Sequence, residues 1–177
     1  MAYFDFSPAK LLKEIYPDHE WLPWRFNAVS KRYWINKENQ REYMKWLCNR
    51  LGFVNMEDLY RLTYDHFRFN DGTPSFRFGA NPKHSLLHAG SRLICLYRGS
   101  PSELVLALYP EHNWEPWKFS VAPRGWWDKF ENQKRYMDWL KERLNYSKMS
   151  DLYHLTSEII SKEGGTTVFA LIILISF

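Results

Sequence analysis

Cysteine is scarce in this chain, and its scarcity excludes a disulfide framework. The 177 residues contain only Cys48 and Cys95, which do not occupy matching positions in the repeat described below. A disulfide scaffold or a zinc site needs cysteines or histidines at paired spacings. We therefore expect two free thiols in a reducing compartment, and an intracellular protein, nuclear or cytoplasmic.

Membrane-spanning and targeting segments are also missing. The apolar run at the C-terminal end, Val168–Phe177, is ten residues long, whereas a spanning helix needs about 20. The first residues carry no basic stretch followed by an apolar one, as a signal peptide would. We therefore expect no membrane partner.

Signatures of catalysis are absent as well. The sequence has no phosphate-binding glycine loop, nucleophile elbow or metal-binding helix motif. His19 and His112 each follow an acid by one residue, so a metal-ligand or general-base role competes with a structural one. We expect a non-enzymatic protein with no cofactor and no metal, and keep a hydrolase acting through these histidines as an alternative.

A repeat is the strongest feature that the sequence does have. The stretch 16–26 returns as 109–119, an offset of 93 residues. The correspondence runs without a gap from Ser7 and Ser100 to Phe67 and Ile160, with 26 identities in 61 positions. Each copy alone is of a size at which a core is marginal, so the 18% aromatic content is needed to supply buried area.

These features predict a division of the chain into four parts. They are a first helical repeat module at 1–67, a linker or insertion at 68–88, a second module at 89–163 and an apolar tail at 164–177. The linker is rich in Phe, Gly, Pro and Asn and shows no periodicity. Residues 89–94 resemble residues 164–169 at an offset of 75, which suggests that the tail begins a truncated third repeat.

The apolar spacing within each copy predicts an all-α fold with aromatic cores. Long helices are expected over 37–51 and 130–144, because aromatic and leucine side chains recur on one helical face. Gly52 and Asn145 follow them as left-handed caps. A short helix at 93–97, a turn containing Gly99 and a helix at 101–108 would form a helix-turn-helix-like element.

The recurring motifs resemble those of a known group of proteins. The residues concerned are Tyr109–Phe119, Glu131–Lys134, Tyr136, Trp139–Leu140 and Asp151–Tyr153. They are similar to the repeats of uncharacterised eukaryotic tandem-repeat proteins abundant in some fungi, a resemblance that implies no activity. The Gly-Ser turn between short helices also resembles the helical repeats that accompany homing endonucleases, and that resemblance implies DNA binding.

A turn that mixes basic and aromatic residues in both copies is the predicted contact region for a ligand. Lys31 and Arg32 stand beside Tyr33, and Arg124 stands beside Trp126. With a net charge of +4, an anionic partner is compatible with the composition. The predicted nucleic-acid-binding residues are Lys31, Arg32, Arg41, Arg98, Ser100, Arg124, Trp126 and Lys134.

The sequence is therefore compatible with two classes of function. The first is a tandem nucleic-acid-binding module whose basic groups contact phosphates. The second is a protein–protein interaction repeat with no nucleic-acid role, in which the aromatic residues contact a partner. Each predicted site also has a structural interpretation, since the aromatic residues suit core packing and Arg41 and Lys134 suit a solvated helix face.

Overall fold

The chain folds as an all-α protein, as the sequence predicts. The computed structural model describes residues 8–26, 29, 32–69 and 89–165, and within these ranges every regular element is a helix. Seven α-helices occur in the described part: α1 (Pro8–Ile15), α2 (Lys37–Leu51), α3 (Tyr64–Phe69), α4 (Ala89–Leu96), α5 (Pro101–Leu108), α6 (Phe130–Arg143) and α7 (Ser157–Lys162).

Short 3₁₀ helices separate the α-helices. In the same ranges they are η1 (Pro23–Arg25), η2 (Tyr33–Ile35), η3 (Met56–Arg61), η4 (Pro116–Lys118) and η5 (Met149–His154). η1 and η4 each begin with proline, because no amide hydrogen bond is needed at the first position of a helix and the fixed φ of proline suits it.

The described residues form two compact units. The first contains the described residues up to Asn55 and those of 63–101, and the second contains Met56–Leu62 and the described residues from Ser102 onward. The predicted parts 1–67, 68–88, 89–163 and 164–177 stay predictions. Of the predicted linker only Arg68 and Phe69 are described, at the end of α3, and of the predicted tail only Gly164 and Gly165.

A fully buried tyrosine organises the core of the first unit. Tyr43 on α2 meets the rings of Trp24 and Trp34 edge-on, with centroids 5.6 and 5.4 Å apart. Trp46 and Phe67 lie against it at 5.5 and 6.4 Å. Edge-to-face and offset arrangements are the favourable geometries for aromatic pairs, so this cluster supplies much of the stability of a small unit.

Tyr136 on α6 has the same place in the second unit. Its ring meets Trp117 and Trp127 edge-on at 5.6 and 5.3 Å and stacks on Trp139 at 5.8 Å. The hydroxyl donates a hydrogen bond of 3.2 Å to the carbonyl oxygen of Ile160. The expectation that the aromatic residues build the cores is therefore met around both tyrosines.

Left-handed residues follow four of the described helices, with Gly164 (φ 88°) in this position after α7. Gly52 (φ 71°) and Asn145 (φ 57°) follow α2 and α6, as predicted. Arg98 (φ 53°) takes this position after α4, where the amides of Arg98 and Gly99 donate to Cys95 and Ile94. The turn thus leads from α4 to α5 in the predicted order, but α4 begins at Ala89, four residues before the predicted start.

Gly90 explains why the sequence did not predict the earlier start of α4. Gly90 is a poor helix former, which is why the sequence did not indicate a helix here. In the structure Gly90 is buried against the Tyr43 hydroxyl and the Phe67 carbonyl, so close that a Cβ atom would overlap both. Gly165, 75 residues later, lies in the same way against the Tyr136 hydroxyl and Ile160. Close packing on the tyrosine therefore accounts for glycine at both positions.

The structure also bears on the cysteines and on membrane-spanning helices. Among the described residues, neither Cys48 nor Cys95 forms a disulfide. Within the described ranges, no helix has the length and apolar character needed to cross a bilayer.

We expect Gly90→Ala to destabilise the protein by roughly 1–3 kcal/mol or more, because the added methyl group must displace Tyr43 or the α3 backbone. Urea unfolding of the variant and the wild type measures the difference. Gly52→Asn is the matched control: Gly52 faces open space and Asn145 adopts the same backbone conformation, so the change should stay within about 0.5 kcal/mol. Equal losses in both variants would contradict the packing role of Gly90.

Candidate nucleic-acid interface

The predicted contact turn of the second unit is held by the start of α6. The amide of Trp126 donates to the carbonyl of Pro123 at 3.1 Å, and Gly125 between them has a φ of 68° that glycine adopts without strain. The side-chain amide of Asn132 donates to the carbonyl of Trp126 at 2.7 Å. Arg124 is exposed at the tip of this turn.

The Asn-Gln pair at the start of each long helix has a role that sequence reasoning missed. Gln133 donates to the carbonyl of Trp127 at 2.7 Å. In the first unit Asn39 and Gln40 donate in the same way to the carbonyls of Tyr33 and Trp34. The sequence suggested only helix capping, although an identical Asn-Gln pair in both copies was the available signal. The amides fix each turn to its helix.

Trp126 and Tyr33 contribute more to packing than the turn's composition suggested. Trp126 is half-buried, edge-on to Trp127 at 4.4 Å and 5.6 Å from Trp117. Tyr33 lies edge-on to Trp34 at 5.1 Å. Burial, assisted by the nearby Glu42 carboxylate, raises the pKa of Tyr33 to about 12. Each ring therefore has only part of its surface available to a ligand.

The described residues among those predicted in the first unit lie on different elements. Arg32 is exposed at the N-terminal end of η2, and Arg41 is exposed on α2. Arg98 and the half-buried Ser100 lie in the turn after α4, where the Ser100 amide donates to Tyr97. Lys31 lies outside the described residues.

Lys134 has a partner of its own on α6. Its ammonium group lies 2.6 Å from the Asp138 carboxylate, one helical turn further along, and both side chains are exposed. A pair of this kind contributes little to stability but neutralises the charge locally. The geometry therefore supports the solvated-face interpretation for Lys134.

An open groove in the second unit lies next to the Arg124 turn. It has a volume of about 540 Å³ and a floor of Trp117, Trp127 and Trp139. A smaller cavity of about 210 Å³ beneath the turn is lined in part by Arg124. Because Ala122 and Trp127 line both, the turn and the groove form one continuous surface, which we call the basic groove.

Besides Arg124, three cations from three other elements line the basic groove, together with the Glu163 carboxylate. Lys118 forms a salt bridge with Glu115, whose hydrogen bond raises the pKa of the Lys118 ammonium. Arg143 lies 3.5 Å from Glu163. Lys162 at the end of α7 is exposed and has no ion pair within the described ranges. The sequence did not indicate Lys118 and Lys162, since only the folded chain brings them beside the tryptophans.

The two histidines pack against tryptophan. His112 lies 4.2 Å from the ring of Trp114, and its Nε2 is 3.5 Å from a Glu57 carboxylate oxygen. His19 meets Trp21 edge-on at 4.4 Å. Among the described residues, no group of three or more acidic, histidine or cysteine side chains could hold a metal ion. Ring packing is thus the structural role that the described residues show for both histidines.

In comparisons with known proteins, no family model, curated protein or solved structure matches the chain. The resemblances to fungal-type tandem repeats and to homing-endonuclease-associated repeats stay predictions.

The buried Tyr136 behind the groove generates a prediction about alkaline pH. Burial, with a smaller contribution from Glu163, raises the pKa of Tyr136 from 10.0 to about 12. The folded state therefore retains this proton when the unfolded state has lost it. The contribution of the Tyr136 hydroxyl to the free energy of unfolding is fully present below pH 10. It is lost between about pH 10 and 12, by an amount on the order of 2 kcal/mol.

Tyr136→Phe should weaken this alkaline loss. Chemical unfolding at a series of pH values, compared with the wild type, measures it. The variant should be less stable at neutral pH because it lacks the hydrogen bond to Ile160, but its stability should fall less steeply above pH 10. Parallel pH profiles for the two proteins would show that Tyr136 is not the responsible group.

Proposed function

We propose that this chain is a non-catalytic binding protein whose second unit binds nucleic acid in the basic groove. The observation that supports this most directly is the position of Lys162, which has no ion pair within the described ranges, and of the exposed Arg124 beside a tryptophan floor. Lys118 and Arg143 line the same groove but are paired with Glu115 and Glu163. Cations contact phosphates, and indole rings stack on bases.

The dimensions of the groove favour a single strand over a duplex. A volume of about 540 Å³ suits a group of ligand size, such as an unstacked nucleotide. Trp139 lines the groove and is half-buried, so part of its indole ring is available for stacking, while the buried Trp117 and Trp127 hold the floor in place. Single-stranded sites commonly combine a basic groove with aromatic platforms.

The other predicted basic residues have a secondary place in this proposal. Arg32, Arg41 and Arg98 are exposed cations on the first unit. They would add electrostatic attraction to the same polyanion, with no defined pocket, and tandem units would raise the overall affinity through effective concentration.

Fluorescence anisotropy with short single-stranded and double-stranded DNA and RNA at several salt concentrations tests the proposal. We expect single strands to bind more tightly and affinity to fall as salt rises. Arg124→Ala/Lys162→Ala should weaken binding and reduce the slope of log affinity against log salt by roughly 0.7 for each phosphate contact that is lost.

Lys13→Ala/Lys45→Ala is the matched control, since it removes the same charge from exposed positions on α1 and α2. If binding is a general effect of net charge, both double variants will lose affinity equally, and the basic groove is not the site. The absence of any binding at low salt would contradict nucleic-acid binding altogether.

A protein–protein interaction function is the second candidate, and a different observation favours it. Tyr153 and Met149 on η5 are 91% and 72% exposed. Large apolar side chains grouped on one short element are typical of surfaces that bind a protein. Binding of that kind would depend weakly on salt.

A further inference from the structure

Two 3₁₀ helices with matching sequences have opposite environments. η3 contains Met-x-Asp-Leu-Tyr at 56–60, and η5 contains the same pattern at 149–153. Tyr60 on η3 is 7% exposed, whereas Tyr153 on η5 is 91% exposed. The same local sequence thus gives the same helix type, and the difference lies in what covers it.

The covered case shows how this tyrosine is bound. In the second unit the ring of Tyr60 lies edge-on to Trp114 and Phe119, with centroids 5.2 and 4.7 Å apart. The amide of Glu115 donates a 2.8 Å hydrogen bond to the Tyr60 hydroxyl. The Lys118 ammonium lies 5.7 Å from the ring centroid, within range of a cation–π interaction.

The first unit has residues that correspond to those around Tyr60, but within the described ranges no tyrosine equivalent to Tyr60 lies between them. Trp21 and Phe26 are 5.9 Å apart, close to the 5.7 Å between Trp114 and Phe119. Both are half-buried, where Trp114 and Phe119 are buried. Arg25 corresponds to Lys118 and is exposed. We call Trp21, Leu22, Arg25 and Phe26 the socket.

The socket also offers the hydrogen bond that the tyrosine hydroxyl would need. Leu22 corresponds to Glu115, and within the described ranges its amide donates no hydrogen bond. The ring contacts of Trp21 in those ranges are with Tyr16, His19 and Phe26, and none comes from a residue corresponding to Tyr60.

η5 already has the conformation in which η3 is bound. The Asp151 carboxylate accepts hydrogen bonds from the amides of Ser147 and Lys148 at 2.9 and 2.8 Å and so caps the helix. Docking therefore would not have to order this segment, which lowers the entropic cost of association.

We propose that Tyr153 of one copy of the chain docks into the socket of a second copy, head to tail. The ring would lie between Trp21 and Phe26, the hydroxyl would accept from the Leu22 amide, and Arg25 would lie over the ring. This inference goes beyond nucleic-acid binding and rests on the protein-interaction candidate, for which it names the partner. Because the two faces differ, the contact is heterologous and continues into rings or open chains.

Sedimentation velocity of the full chain over a range of concentrations, without nucleic acid, tests the proposal. The wild type should form dimers and larger species as concentration rises. Tyr153→Ala should weaken association by about tenfold or more, as loss of a central aromatic contact does. Phe130→Ala is the matched control, since it removes another exposed aromatic side chain from the second unit, 71% exposed, and should associate like the wild type.

A mixing experiment identifies the direction of the contact. Trp21→Ala removes the socket and Tyr153→Ala removes the tyrosine, so each variant alone should stay monomeric at concentrations at which the wild type associates. A mixture should form a 1:1 dimer, because each variant still carries the face that the other lacks. Since Tyr153 is exposed, its replacement leaves the fold intact, and circular dichroism verifies this for both variants.

Three results would overturn the proposal: a wild type that stays monomeric at high concentration, association that Tyr153→Ala does not weaken, or a mixture that remains monomeric although both variants are folded. Nucleic-acid binding is measured separately by its salt dependence, so failure of one leaves the other standing. A wild type that stays monomeric but is captured by a different purified protein through Tyr153 would overturn self-association and retain the protein-interaction candidate.

Discussion

A buried tyrosine packed against glycine is the contact on which each unit depends. The rings of Tyr43 and Tyr136 are each surrounded by three tryptophans, and their hydroxyls lie so close to Gly90 and Gly165 that no side chain fits between them. A small helical unit has little area to bury, so concentrating it around one aromatic side chain is an effective solution. A side chain larger than that of glycine at either position must therefore displace neighbouring atoms.

The same core builds the surface proposed to bind a ligand. Trp117 and Trp127 pack on Tyr136 and also form the floor of the basic groove. The side chains of Asn132 and Gln133 hold the turn that carries Arg124 against α6. A packed aromatic floor with cations at its edge suits recognition of a polyanion, because the aromatic surface is ordered before the ligand binds.

Local sequence patterns predicted the local structure well. Periodicity indicated α2 and α6, and the left-handed caps fell at Gly52 and Asn145. Long-range packing was not accessible in this way: Gly90 continues a helix because of Tyr43, and Lys162 reaches the groove from α7. Tyr60 and Tyr153 give the clearest case, since the shared pattern Met-x-Asp-Leu-Tyr produces the same type of 3₁₀ helix and opposite burial of the tyrosine.

Amide hydrogen exchange of the dilute protein, read separately over 56–62 and 149–155, tests the central claim that two matching segments differ through their tertiary contacts. We expect the first segment to exchange at least about tenfold more slowly, because opening it must also break the contacts of Tyr60 with Trp114 and Phe119. Equal exchange in both segments would contradict the account, since it would mean that their shared local sequence alone determines their stability.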